Sequence, residues 1–258
     1  MDPFHDLLPE MITEILDAST IPDVLRFRQT CKYHSTYYDV LWKHPDVRKC
    51  MTYFEQVFTD KDVMHDTLKY FASFLDNKGN TKQIFGVFAG AYSNSKSTMT
   101  KLIQLTFGNE AANILNYFTF YRKVSEDTKV VIMEKYNTIM DIEDSTIRRL
   151  AGGDSYYNED EDEIITPKFK LIGSCNDVSL LGSRHKSIRM RIKIIPFSSM
   201  WVDDAPESII EQYAQRRFLK DVYFNDRVGD MAVAFRWILK MYLKIYEVEG
   251  LCKHYVDT

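Results

Sequence analysis

GAYSNSKST, residues 90–98, follows the apolar run Ile84-Phe85-Gly86-Val87-Phe88-Ala89 and precedes a helical pattern over residues 99–107. A buried strand, a loop of small residues and a helix opening at Lys-Ser form the layout of a phosphate-binding P-loop. The residue types fit that chemistry. Backbone N–H groups of a tight loop and a helix N-terminus surround phosphate oxygens. Gly90, Asn94, Ser95, Lys96, Ser97 and Thr98 are the candidate nucleotide-binding residues, with Lys96 as a point charge and Ser97 as a magnesium ligand. The pattern G-x-x-x-x-G-K-[ST] places a second glycine where Ser95 stands. If that position takes a positive φ, serine there costs roughly 1–2 kcal/mol, so weakened nucleotide binding is expected. The competing interpretation is a polar turn that caps an ordinary core helix.

Working outward, 258 residues allow one or two domains, and 45% hydrophobic with 14% aromatic content supplies packed cores. A net charge of -4 argues against a dedicated nucleic-acid binder, although a local basic patch is compatible with it. Cys31, Cys50, Cys175 and Cys252 lack C-x-x-C spacing and read as reduced thiols of an intracellular protein. The histidines show no ligand spacing. No basic and apolar leader begins the chain, and no apolar stretch approaches about 18 residues, so neither secretion nor a membrane partner is expected.

Beyond the loop, residues 117–121, Val130–Met133 and residues 168–173 suit strands of a buried sheet, separated by helical or loop segments. That alternation predicts an α/β fold with a mainly parallel sheet and the loop at the carboxyl end of its first strand. VVIME ends in Glu134, a candidate catalytic acid and magnesium ligand. The run over residues 168–173 leads to Ser174-Cys175-Asn176, in which Asn176 is a candidate γ-phosphate sensor. Residues 46–80 read as two amphipathic helices forming a connector or collar, and residues 231–245 as a helix with a core stripe.

Residues 1–45 form a separate expectation of three short helices with prolines at plausible starts. The run LLPEMITEILDASTIPDVLRFRQTCKYHSTYYDVLW, residues 7–42, resembles the F-box. This resemblance implies docking on a Skp-type adaptor of cullin ubiquitin ligases, with Leu8, Pro9, Ile15 and Leu25 divided between the module's core and the interface.

A second resemblance covers about residues 50–251. NSKSTMTKLIQLTFG, VVIMEKYN, DSTIRRLAGGDSYY, PKFKLIGSCND and RMRIKIIPF are similar, in that order, to superfamily 3 helicases of the poxvirus primase-helicase type. It implies an AAA+ ATPase core over residues 81–258, ATP and Mg2+ as cofactors, a homo-oligomeric ring, and an arginine finger at Arg191 or Arg189. It also implies a large DNA virus as the source and the host cytoplasm as the place of action. The chain departs from that family at Tyr92 and Ser95, at Met190, and in the carboxylate run of residues 159–163. That run would repel nucleic-acid phosphates lying within a Debye length of about 8 Å, which sets DNA binding in doubt. The expectation was therefore an F-box adaptor carrying a degenerate ATPase fold, with an active helicase or ATPase as the alternative.

Overall fold

The computed structural model describes residues 42–76, 78–91, 93–114, 124–133, 143–158, 162–166, 168–177, 179 and 184–251. The F-box-like residues Leu8, Pro9, Ile15 and Leu25 lie outside them, as do Glu134 and the strand expected over residues 117–121.

The sheet is built on β1 (Phe85–Ala89), FGVFA, buried along its whole length. β2 (Ala111–Ile114), β3 (Val130–Met133), β6 (Lys170–Cys175) and β7 (Ile192–Pro196) join it in the order β2-β3-β6-β1-β7. Every pair in that sheet is parallel. A parallel sheet needs cover on both faces, which explains the near-continuous apolar runs. Alternation along each strand divides the core in two. Phe88, Val130, Ile132, Ile172 and Ile195 join the cluster of one face, whereas Phe85, Val87, Val131, Met133 and Leu171 join the other.

The first face is covered by α1 (Pro45–Val57), α2 (Lys61–Ala72), α3 (Lys96–Phe107) and the long α8 (Ala232–Glu249). The two collar helices expected between residues 46 and 80 therefore share a core with the helix that follows the loop. In α8, Phe235, Ile238 and Tyr242 are buried as expected, while Ile245 turns outward at 38% exposure. Two polar clamps fasten α2 to the sheet. Tyr70 Oη donates to Leu171 O at 2.7 Å and accepts from the Gly86 N–H at 2.9 Å. A Cβ on Gly86 would sit 2.4 Å from the Tyr70 ring, so glycine is what lets the phenol approach. Asp66 forms a buried ion pair with Lys193 of β7.

The second face carries α4 (Asp144–Gly152) and the short α5 (Lys186–Arg189), through Ile147, Leu150 and Ile188. Between α4 and β6 the chain forms an antiparallel hairpin, β4 (Tyr156–Asn158) with β5 (Glu163–Ile165). Glu163, at the end of the acidic stretch, thus belongs to a hairpin strand, residues 159–161 lie outside the described residues, and Tyr157 and Ile164, paired in register, are exposed. After β7 come β8 (Met200–Val202), α6 (Ile209–Gln215), β9 (Arg217–Leu219) and α7 (Phe224–Arg227), with β8 and β9 pairing in parallel.

Candidate functional site

The sheet's strand order fixes where a ligand can sit. Connections after β1 lead first to the β2 side and later, through β7, to the opposite side, so the carboxyl end of β1 is a topological switch point. The GAYSNSKST loop starts there. Its entry is held by strand neighbours: Gly90 N–H donates to Cys175 O at 3.2 Å, and Phe197 N–H donates to Ala89 O at 2.7 Å. Gly90 adopts φ +152, and an added Cβ would meet Phe197 O at 2.2 Å and Asn94 Nδ2 at 2.5 Å. Only glycine fits that passage. Asn94 is buried and donates from Nδ2 to Phe197 O at 3.1 Å. Trp201 of β8 closes the outer side by donating its N–H to Ser93 O at 3.1 Å.

Ser95 stands at φ 65, ψ 12, the left-handed conformation that the missing glycine would have adopted freely. The positive φ is therefore required at this position, and a non-glycine residue there costs roughly 1–2 kcal/mol. Ser95→Gly should raise the unfolding free energy by up to about 1 kcal/mol, the relief of strain being partly offset by the greater freedom of glycine in the unfolded chain. A urea melt would detect it; an unchanged or lowered midpoint would contradict it.

Lys96 opens α3, and its ammonium folds back over the loop. It donates to Gly90 O at 2.5 Å, to Ala91 O at 2.7 Å and to Asn94 Oδ1 at 3.1 Å. Burial holds its pKa below the ordinary lysine value, against the nearby Cys175 sulfur, which favours the charged form. Cys175 is pushed up by burial and donates from Sγ to Asp177 O at 2.9 Å. The cation therefore rests on neutral loop oxygens.

The remaining sequence-predicted residues divide. Ser97 is exposed beside Lys96 at the start of α3. Thr98 is turned away, its hydroxyl donating to Asn225 Oδ1 of α7 at 2.8 Å. Asn176 follows directly on Cys175, which is in register with Ala89, so it stands beside the loop at the carboxyl end of the adjacent strand. β3 ends at Met133 on the same end of the sheet, and Glu134 follows it outside the described residues. Arg191 is not brought to the loop. Its carbonyl accepts from Phe85 N–H at the amino end of β1, and its guanidinium donates to Ser187 O at 2.7 Å and Gln83 Oε1 at 2.8 Å. A five-residue strand separates it from the loop, roughly 16 Å.

Phe197, Asn225 and Trp201 were not assigned a place at the site from sequence. Phe197 alone had a signal, as the last residue of RMRIKIIPF; the others come from elements distant in the chain. A mixed-charge cleft of about 740 Å³ lies at the opposite, amino end of the sheet, lined in part by Glu110, Glu126, Lys129 and Lys168. Glu110 and Lys129 neutralise each other there at 3.4 Å, so it is not an anion site.

Fold and loop together define an α/β domain with a mainly parallel sheet and a P-loop-like turn at the carboxyl end of its central strand. No protein-family model matches the chain. It is 25% identical over 244 residues to "Putative helicase 184R" of Invertebrate iridescent virus 6, covering 84% of this chain and 24% of that protein. It is also 25% identical over 183 residues to "Putative helicase 121R" of Invertebrate iridescent virus 3, covering 62% of this chain and 19% of that one. The chain thus spans about a quarter or less of the curated relatives it matches. Among solved structures, an apo A form of the NrS-1 C-terminal region superposes with a TM-score of 0.55 at 11% identity, over 77% of this chain and 47% of that one. A further apo structure of that region gives 0.51 at 11% identity, over 78% and 50%. The chain is therefore similar to viral proteins named as helicases. Nothing found supports the F-box adaptor reading, so the helicase alternative takes first place.

Proposed function

We propose that this chain is an ATP-binding motor domain of the superfamily 3 helicase type. The observation that carries the reading is the Lys96 ammonium, seated in a glycine-entered loop at the carboxyl end of the central strand, beside Asn176 of the neighbouring strand. An incoming triphosphate would exchange the carbonyls of Gly90 and Ala91 for phosphate oxygens as partners of Lys96. Loop and helix N–H groups would add the directional contacts. Asn176 would read the outermost phosphate, and Glu134 would orient the attacking water.

Among the described residues no group of three or more His, Cys, Asp or Glu is placed to hold a metal. Magnesium is usually bound by one or two protein ligands plus substrate phosphates. Ser97, exposed at the start of its helix, and Glu134 would supply such a set, and the ion would neutralise charge on the transferring phosphoryl group. Arg191, at the far end of the sheet, does not reach this loop, so the finger role would require a neighbouring copy in a ring. Among the described residues no helix is long and apolar enough to cross a membrane.

The reading is tested by phosphate release from ATP with and without magnesium, and with added single-stranded DNA. Magnesium-dependent turnover is the expected result; its absence with a folded protein would overturn the proposal. The acidic residues of the hairpin predict that stimulation by DNA is small and is lost as salt rises.

A further inference from the structure

Lys96 and the N–H groups of the loop serve the phosphates of a nucleotide, whose base needs a separate seat. The strands that flank β1 give the direction in which that base lies. β6 pairs with β1 on one side and β7 on the other. Asn176 and Glu134 follow β6 and β3, so on the nucleotide reading the terminal phosphate belongs to the β6 side and the base leaves toward β7. Just past the carboxyl end of β7 stands Phe197, packed edge-on at 5.2 Å against Phe58, which follows α1. Tyr53 of that helix packs at 5.2 Å on Phe224 of α7, which places α7 on the β7 side of the loop. The same short helix is fastened to α3 within the first two turns after the loop. Thr98 Oγ1 donates to Asn225 Oδ1 at 2.8 Å, and Lys101 Nζ donates to Asn225 O at 2.7 Å.

The turn that leads into α7 is fixed at both of its ends. Asp221 accepts the Tyr223 N–H on Oδ1 at 3.0 Å, accepts the Phe224 N–H on its carbonyl at 3.1 Å, and pairs with Arg227. Phe224 packs inward and Asn225 is held by α3, which leaves Val222 and Tyr223 outside, 65% and 68% exposed. A single exposed apolar residue is ordinary, whereas an adjoining pair held on a fixed turn beside a phosphate loop offers an apolar, aromatic surface to a ligand. We infer that Tyr223 is the stacking platform for the base of the bound nucleotide, with Val222 beside it, and that it raises affinity for nucleotide over bare phosphate. Stacking on one aromatic ring recognises the class and not the identity of the base, because every base presents a π-face. The inference rests on the loop being a nucleotide site.

The test is calorimetric titration of the full chain with magnesium-ADP and with magnesium pyrophosphate, which offers the two phosphates without ribose and base. Tyr223→Ala should weaken ADP binding at least about fivefold, the lower end of what losing an aromatic partner of one base costs. Pyrophosphate binding and the thermal midpoint should stay at the native values, because the exposed ring supports neither the loop nor the core. Tyr223→Phe keeps the ring and should bind ADP as the native chain does. Native ADP affinity in Tyr223→Ala would overturn the inference, and so would an equal loss for ADP and pyrophosphate, the mark of a tyrosine that shapes the loop. A Tyr223→Phe variant as weak as Tyr223→Ala would overturn it too, since the ring face is what stacks. If the native chain binds pyrophosphate as tightly as ADP, the base has no seat, and the inference falls while the phosphate site stands. If it binds neither, the nucleotide reading itself falls, and the inference with it.

Discussion

Asp66→Ala should destabilise the protein by about 3–5 kcal/mol, the cost of stranding a buried charge. The Asp66 and Lys193 side chains are 7% and 5% exposed, and they join α2 to β7 across the packed face of the sheet. Removing the carboxylate leaves the Lys193 ammonium in an apolar surrounding that includes Phe71, Phe88 and Ile195 in the same core. Against a typical total stability of about 5–15 kcal/mol, the loss is large, and it would appear as a lowered midpoint in urea. The paired change Asp66→Leu with Lys193→Met should recover most of it, since a buried ion pair is often no more stable than apolar residues of similar size. If Asp66→Ala shifts the midpoint by less than the equivalent of about 1 kcal/mol, the pair is not the clamp that the geometry indicates.

Lys96→Ala should lower ATP turnover by at least about 100-fold, the scale on which removal of one transition-state contact to developing charge acts. The fold should survive, because the partners of Lys96 are the loop oxygens of Gly90, Ala91 and Asn94 at a partly exposed mouth. The thermal midpoint should therefore stay close to the native one while phosphate release collapses. Undiminished turnover in the variant would move the active site elsewhere.

The parts of this architecture that could be read from the sequence were those fixed by local chemistry. FGVFA and VVIM are apolar throughout because strands covered on both faces must be. The loop could be read because backbone phosphate contacts demand small residues and a lysine at fixed spacing. The question left at Ser95, whether a positive φ is required, is answered by its φ of 65. What the sequence hid was decided by partners. The strand expected over residues 168–173 runs instead over Lys170–Cys175, because Gly173, Ser174 and Cys175 pair with Val87, Phe88 and Ala89. Glycine has low strand propensity, yet the missing Cβ of Gly173 makes room for the Phe85 ring, 3.1 Å from where that atom would lie.

The first strand after the loop helix was equally illegible. AANI, residues 111–114, carries little β propensity, and its place is set by pairing with β3. The hairpin β4–β5 was obscured by its charge, since a carboxylate run reads as a solvated loop. At the site, Asn225 lies far from the loop in sequence, with no motif spacing to announce it. The direction of Arg191 was also hidden. Only the register of β7 with β1, Ile192 opposite Phe85 and Pro196 opposite Ala89, shows that the residue preceding β7 lies away from its own loop.

The central claim is that the loop of residues 90–98 binds a nucleotide through Lys96. Its most direct test is the titration of the full native chain and of Lys96→Ala with magnesium-ATP, followed by calorimetry at fixed ionic strength. Saturable binding of about one nucleotide per chain by the native protein, absent or weakened by at least about tenfold in Lys96→Ala, is the predicted result. No binding by the folded native chain, or equal binding by both proteins, would contradict it.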